Sequence, residues 1–490
     1  MTSILLTLAL SLLWGGAIVI ALLTPQRPLR HIQGLALLLV ILAAVAFLVA
    51  ATGSHGWAIF QTPAEWLPSY HSGLRLRLDP VSLPFALNVL GISVVVLAYA
   101  WGYFQGPKRP HLLYALLLAF AGGMLGTCLA NDALLFFILW ESMLISSCLL
   151  LAGWGEGDRV QSVTYSYFVF TQFGSLLILA ALTWLIAATG TSNLSIIGER
   201  LQTVGPAQRN WLAVAMLLGF GVKLAVVPLH VWLPDAHTVA PMPVTILLAA
   251  AMLSMGAYGI VRFPLILFGV EALRPLEPYL LGTALLSQVY GALMCLIVHD
   301  IKRIVAYSSV SQMGYVLFGL ATLSAEGIAG SIMHVLNHGV LKALLFISVG
   351  MVIQSTGRRR IDEIRGLASL LPRLVAILLV AAVAMAGLPP FSAFHSEWLI
   401  LSGGLESGYP LAGYLAFVTP LLTIGYGLWL GLRLAIGSSA TEIQIKPIHP
   451  IARWAAYGLL GVSLIEDLLP GPLYHLAQAA ADVILKGTGP

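Results

Sequence analysis

The sequence predicts an all-α polytopic membrane protein of about 14 transmembrane helices, and three observations carry that reading. Of its 490 residues, 59% are hydrophobic and only 9% charged, and the mean hydropathy is +0.93; a soluble domain carries roughly 25% charge. The apolar residues come in unbroken runs, whereas a barrel would show alternating segments of roughly ten residues. Spanning about 30 Å of hydrocarbon takes roughly 20 residues per helix, so the chain has room for about 14 crossings.

The runs fall near 2–23, 32–51, 81–104, 112–130, 132–153, 163–188, 211–233, 242–263, 278–298, 304–322, 326–353, 370–402, 410–432 and 451–469. The first has no basic start and no small-residue cleavage site, so it reads as a crossing rather than a signal peptide. The seventh is interrupted at Pro228 and stopped at Pro234, and the twelfth is interrupted at Pro389 and Pro390. Proline removes a helical hydrogen bond and clashes with the turn before it, so both runs are expected to be broken helices. Loops after odd-numbered runs hold fifteen Lys and Arg and those after even-numbered runs six. Odd loops are therefore expected to face the cytoplasm or its equivalent, with both termini opposite. Runs four to eight and nine to thirteen each place a proline break in their fourth member, the pattern of two inverted five-helix repeats. The expected organisation is three N-terminal helices in 1–110, a first repeat in 111–270, a second in 271–436, and a fourteenth helix with a tail in 437–490.

Chemistry concentrates in ionisable residues inside these runs. Each costs about 2.5–3.5 kcal/mol at mid-bilayer even on the lenient insertion scale, so each marks a pathway for ions or protons. Lys223 lies five residues before Pro228, with His230 and His237 following; histidine titrates near neutrality and can pass protons to the broken region. The bland alternative is a snorkelling lysine and end-capping histidines. Glu141 is apolar on both sides and needs a buried partner. Placed beside Lys223 it would hold that lysine charged, and withdrawing it would favour proton release. His334, His338 and Lys342 recur at i, i+4 and i+8 and so line one helix face. A zinc site is their rival, but no third ligand lies near in sequence. Glu397 restarts a helix after the double proline with His395 close by; its bland role is dipole compensation at a helix start. Lys302 and Arg303 read as topology determinants. Ser308, Ser309, Ser311 and Gln312 bring polar groups into the tenth run, either as a water-wire anchor or as helix–helix glue. Cys128, Cys148 and Cys295 read as core residues, and no spacing suits a cluster, a haem or a nucleotide.

Several of these motifs resemble one family. They are Lys-x4-Pro-x-His-x-Trp-Leu-Pro-Asp-Ala-His at 223–237, Ala-Pro at 240–241, Gly-Ala-Tyr-Gly-Ile-Val-Arg-Phe at 256–263, Asp-Ile-Lys-Arg-x3-Tyr-Ser-Ser at 300–309 and Trp-Glu at 140–141. Together they resemble the antiporter-like proton-pumping membrane subunits of respiratory complex I, with relatives in membrane-bound hydrogenases and multisubunit antiporters. Length and the Leu78-Asp-Pro-Val-Ser-Leu stretch are similar to the middle-arm type, while 341–346 and 389–399 have features of the distal and hydrogenase types. The resemblance implies fourteen helices with helices seven and twelve broken. It also implies a coupled Glu141–Lys223 pair in a first half-channel, Lys342 or the His334/His338 face as the central link, and Glu397 ending the second half-channel. Many relatives carry a lysine where this chain has Ser254, so the link between halves would need water or neighbouring residues.

The resulting expectation is a proton-translocating subunit of a redox-driven complex, relaying protons through Glu141, Lys223, His230, His237, His334, His338, Lys342 and Glu397, with Ser254 and Gln312 in support. A sodium or potassium/proton antiporter subunit and a hydrogenase subunit are the alternatives. This chain is expected to hold no cofactor or metal; quinone, iron–sulfur clusters and NADH or another donor are expected in partner subunits. The expected partners are sister antiporter-like and small membrane subunits, the bilayer and a lateral helix from the distal subunit, with no nucleic acid. The expected location is the bacterial inner membrane, or a thylakoid or organelle inner membrane.

Overall fold

A computed structural model describes residues 2–23, 27–54, 57–201, 204–437 and 444–486. The ends of the 437–490 segment, at 438–443 and beyond Lys486, lie outside the described residues. In chain order the elements are α1 (Thr2–Ala21), α2 (Leu29–Gly53), β1 (Ala58–Leu67), β2 (Ser72–Leu78), α3 (Ser82–Tyr103), α4 (Pro110–Leu129), α5 (Ala133–Trp154), α6 (Val160–Thr189) and α7 (Leu194–Arg200). There follow α8 (Pro206–Leu224), α9 (Leu233–Val239), α10 (Met242–Leu267), α11 (Val270–Ile297), α12 (Ile301–Ala321), α13 (Ala325–Thr356), α14 (Pro372–Met385), α15 (Ala393–Glu406), α16 (Pro410–Ala435), α17 (Pro450–Leu468) and α18 (Gly471–Lys486). Among the described residues, eleven helices are long and apolar enough to cross a membrane. The seventh run is split into α8 and α9 and the twelfth into α14 and α15, as the prolines predict.

Three elements were not legible as such: the antiparallel β1–β2 hairpin, pairing Ala58 with Leu78, and the helices α7 and α18. The hairpin carries too few consecutive apolar residues to stand out beside membrane helices, and α18 follows Pro470 with a mixed composition.

Helix starts are fixed by side chains that meet otherwise unpaired N–H groups. Asp132 accepts from the N–H groups of Leu134 and Leu135 at the start of α5, and Asp300 does the same for Lys302 and Arg303 at α12. Each lies at an isolated antiparallel bridge to a later loop, Asp132 with Asn193 and Asp300 with Arg360. The two sets occupy the same ordinal place in runs four to eight and nine to thirteen.

α10 and α12 are buried along their apolar windows, and α13 nearly so. Glycines permit the closest approaches: a Cβ at Gly256 would strike the backbone of Leu224, and one at Gly291 the backbone of Ser311. α10 thereby packs on α8 and α11 on α12. Outward faces of α6 and α16 carry exposed Tyr165, Phe173, Leu411 and Leu421, surfaces fit for acyl chains rather than water. All three cysteines are free and buried.

Candidate functional site

The two helix breaks bring the ionisable residues inward. After Leu224 the chain leaves the helix through Ala225 and resumes at Leu233. The groups freed by Pro228 are met nearby: the Trp232 indole donates to the Val222 carbonyl at 2.9 Å, and Val227 N–H donates to Ser287 Oγ at 2.9 Å. Within that collar Lys223 is 1% exposed. Its Nζ has no hydrogen-bond partner and lies 5.4 Å from the Trp140 ring centre, a cation–π separation. Glu141, half-buried, lies within electrostatic reach of it, yet no ion pair within 4.0 Å joins them among the described residues. One Glu141 oxygen is unpartnered. A lysine and a carboxylate close enough to sense each other, but not locked together, suit a pair whose charges rise and fall in turn.

His230 lies in the break and packs edge-on to Tyr290, ring centres 4.9 Å apart. His237 on α9 is fully buried with both ring nitrogens unpartnered. It stands against Phe346 and within electrostatic reach of Lys342 and Lys302. On α13, His334, His338 and Lys342 are all buried, and the two imidazole centres lie 6.3 Å apart. Lys342 Nζ donates to Ser308 Oγ at 2.7 Å. Gln312 Oε1 accepts from His334 Nε2 at 2.7 Å, so His334 Nδ1 is free to accept from Ser396 Oγ, 3.0 Å away. Two of the tenth run's polar residues, Ser308 and Gln312, therefore bond directly to titratable groups.

Glu397, 3% exposed, lies one turn into α15 and does not cap it. Its carboxylate rests over Gly387, where a Cβ would collide with Oε2, and its other oxygen is unpartnered. Gln312 and Tyr315 flank it. Neither Lys223 nor Glu397 faces lipid.

Ser254, expected in support of the relay, has a neighbour that the sequence did not expose. Ser254 donates to its own-turn Ala251 carbonyl at 2.6 Å. Beside it, Asn88 from α3 donates to the Ala250 carbonyl at 2.8 Å and approaches Ser254 Oγ at 3.4 Å. That carbonyl belongs to Leu247–Met252, which is wound as a π-helix, a geometry common at functional sites. Asn88 Oδ1 fills the space over Gly339, next to His338. A single amide thus touches α10 at Ala250 and Ser254 and α13 at Gly339; in an apolar run it gave no signal. Lys302, read from the sequence as a topology determinant, is 1% exposed, donates to the Ala240 carbonyl and lies within electrostatic reach of Glu156. Glu156 accepts from Tyr103 OH at 2.6 Å. Its neighbour Arg303 does reach the surface, pairing with Asp235 at 3.2 Å.

Interrupted helices around a buried line of Lys, His and Glu define a polytopic membrane protein with a polar axis. The family model described as NADH:quinone oxidoreductase/Mrp antiporter, TM, matches residues 130–423, and the chain belongs to that family. It is 35% identical over 362 residues to NAD(P)H-quinone oxidoreductase chain 4 3 of Picosynechococcus sp., which covers 74% of this chain and 65% of that relative's length. Among solved structures it is similar to a chain of respiratory complex I from Thermus thermophilus with bound NADH. There the TM-score is 0.87 and the identity 26%, over 99% of this chain and 100% of that one. It also resembles a chain of the Mrp complex from Dietzia sp., with a TM-score of 0.84 and 28% identity, over 97% of this chain but 52% of that one.

Proposed function

We propose that this chain is a proton-translocating channel subunit of a redox-driven, complex I-like membrane complex, and that it carries no redox centre itself. What supports the reading is the burial of Lys223, His237, His338, Lys342, His334 and Glu397 inside the helices, with Glu141, Asn88 and Ser254 among them, which we take as one axis from Glu141 to Glu397. The paired Asp132 and Asp300 caps and their bridges, at matching ordinal positions, support two inverted five-helix repeats at about 111–270 and 271–436, with fourteen crossings in all. The excess of basic residues in odd loops supports a cytoplasmic face for Lys302 and Glu156, where protons would enter.

The mechanism is charge displacement. Electron transfer in partner subunits shifts a charge near Glu141; Lys223 then loses or gains stabilisation and passes its proton along the axis. His230 and His237 serve the first break, and Ser308 holds Lys342. Quinone, iron–sulfur clusters and NADH or another donor belong to the partners, which include sister antiporter-like subunits and a lateral helix. The membrane is the bacterial inner membrane or a thylakoid or organelle inner membrane.

An Mrp-type sodium or potassium/proton antiporter subunit is the second reading, favoured by the likeness to the Dietzia chain. The whole-length match to the complex I chain favours the first. Turnover of the purified complex with and without sodium separates them: sodium-independent pumping is expected, and a sodium requirement would overturn the proton reading. In vesicles, Glu141→Gln is expected to uncouple proton translocation from turnover; normal translocation would remove Glu141 from the relay.

A further inference from the structure

A groove outside the titratable axis opens where three helices reach the same face. The C-terminal end of α13 and the N-terminal ends of α14 and α17 meet there around a cavity of about 280 Å³. Its lining joins apolar Met351, Leu374 and Ile377 to Arg373, Arg453 and Tyr457. Both arginines are exposed, and among the described residues neither makes an ion pair or hydrogen bond, nor does any carboxylate line the groove. The acids of the preceding loop are engaged elsewhere: Asp362 with His299 and Arg433, and Glu363 with Arg360. α14 starts at Pro372 with no side chain capping it, which leaves first-turn N–H groups open at the same end. Trp454 and Tyr457, 72% and 40% exposed, lie in the first two turns of α17, and such aromatic residues mark the headgroup level of a bilayer. At 1.5 Å per residue, Ile377 and Tyr457 lie about 8 and about 10 Å beyond their helix starts. The groove therefore runs from a charged edge into hydrocarbon.

We propose that this groove binds one anionic glycerophospholipid of the cytoplasmic leaflet, its phosphate meeting Arg373 and Arg453 and one acyl chain lying along Met351, Leu374 and Ile377. The side follows from the basic loops, which put these ends of α13, α14 and α17 at the cytoplasm; the inference needs that orientation but not the proton relay. Charge complementarity selects the occupant. Two unpaired guanidiniums over an apolar wall suit a molecule that is anionic at the interface and apolar below it. Basic pockets between membrane helices on the cytoplasmic side hold such headgroups, and a guanidinium can grip phosphate through two parallel N–H bonds. A helix of a neighbouring subunit would need an acid at that one depth, whereas every anionic lipid carries its phosphate there. A lipid so held ties the start of α14, the helix that leads to Gly387 and Glu397, to α13 and α17.

The assembled complex, purified through this chain, is placed in phosphatidylcholine vesicles with a trace of phosphatidylglycerol bearing a photoactivatable group on one acyl chain. Illumination and peptide mass mapping then read where the probe sits. Label is expected on the peptides of Met351 and Ile377, competed by unlabelled phosphatidylglycerol but not by inorganic phosphate. Arg373→Gln with Arg453→Gln is expected to weaken labelling about 30-fold, the loss of two arginine contacts at the membrane surface. Arg373→Lys with Arg453→Lys keeps both charges and the orientation, and is expected to retain it. Should the glutamine pair not assemble, Ile377→Trp decides, since it fills the groove, leaves both charges and is expected to abolish the label. Unchanged labelling in the glutamine pair or in Ile377→Trp, equal labelling by a phosphatidylcholine probe, or competition by inorganic phosphate overturns the proposal. So does an absence of label at these peptides in the assembled complex, where a neighbouring subunit would then fill the groove. Labelling requires no turnover, so its failure and the failure of the relay are read separately.

Discussion

Glu397 owes its position to a residue that has no side chain. Gly387 sits in the break between α14 and α15 at φ +65°, and the carboxylate fills the place a Cβ would take. Gly387→Ala would force a left-handed backbone, at about 1–2 kcal/mol, and push the carboxylate off its seat. Its expected outcome is a lower melting temperature together with proton pumping as weak as that of Glu397→Gln; unchanged pumping would mean the seat is immaterial. Asn88→Ala would leave the Ala250 carbonyl buried without its amide, a loss of about 1–3 kcal/mol. It is also expected to slow pumping without changing quinone binding, measured as an unchanged KM for quinone. The residues the sequence exposed were those with charge: Lys223, Lys342 and Glu397 stand out because apolar neighbours make their cost obvious. Asn88 and Gly387 did not, since an amide or a glycine in a membrane helix is ordinary until a structure shows what lies against it.

At the scale of elements, the chain is pinned by a few buried carboxylates. Asp132 caps α5, accepts from Ser72 Oγ at 3.0 Å and Ser192 Oγ at 2.6 Å, and pairs with Arg75 at 3.0 Å. It thereby ties the hairpin, α5 and the loop after α6 together. Asp132→Ala would leave Arg75 with Glu65, 3.3 Å away, and the His71 carbonyl, but would remove the α5 cap and the acceptor of Ser72 and Ser192; it is expected to cost about 1–3 kcal/mol, read as a fall in the melting temperature of the solubilised protein. Asp300→Ala, whose partner Arg359 is more exposed, should cost less. Helix breaks were readable because proline announces them. The π-wound part of α10 and the β1–β2 hairpin were not, because no local residue announces either; what meets them comes from distant segments, Asn88 at the Ala250 carbonyl and Asp132 at Ser72.

Across the whole molecule, the N-terminal helices are fastened to the central ones by Asp79, which lies before α3 and outside the membrane spans. It takes two bonds from Arg262 of α10, at 2.7 and 2.9 Å, and one ion pair from Arg77 at 2.9 Å. Burial alone would raise its carboxyl, but Arg262 and Arg77 outweigh it and hold the group down from 3.8 to about 2. A folded value below the unfolded one means the stabilisation is complete above about pH 4 and lost as pH falls towards about 2. That difference is on the order of 2 kcal/mol. The acid limb of the melting-temperature profile should therefore flatten in Asp79→Asn, whose overall stability is lower. Fastened in this way, the helices enclose Lys223, His237, His338, Lys342, His334 and Glu397, the groups proposed to form one line from break to break. The most direct test of that line is proton translocation per quinone reduced in vesicles carrying the assembled complex with Lys223→Ala. Assembly is expected to persist while translocation through this chain falls by ~10²-fold; full translocation with intact assembly would show the chain to be a scaffold for neighbours that pump without it.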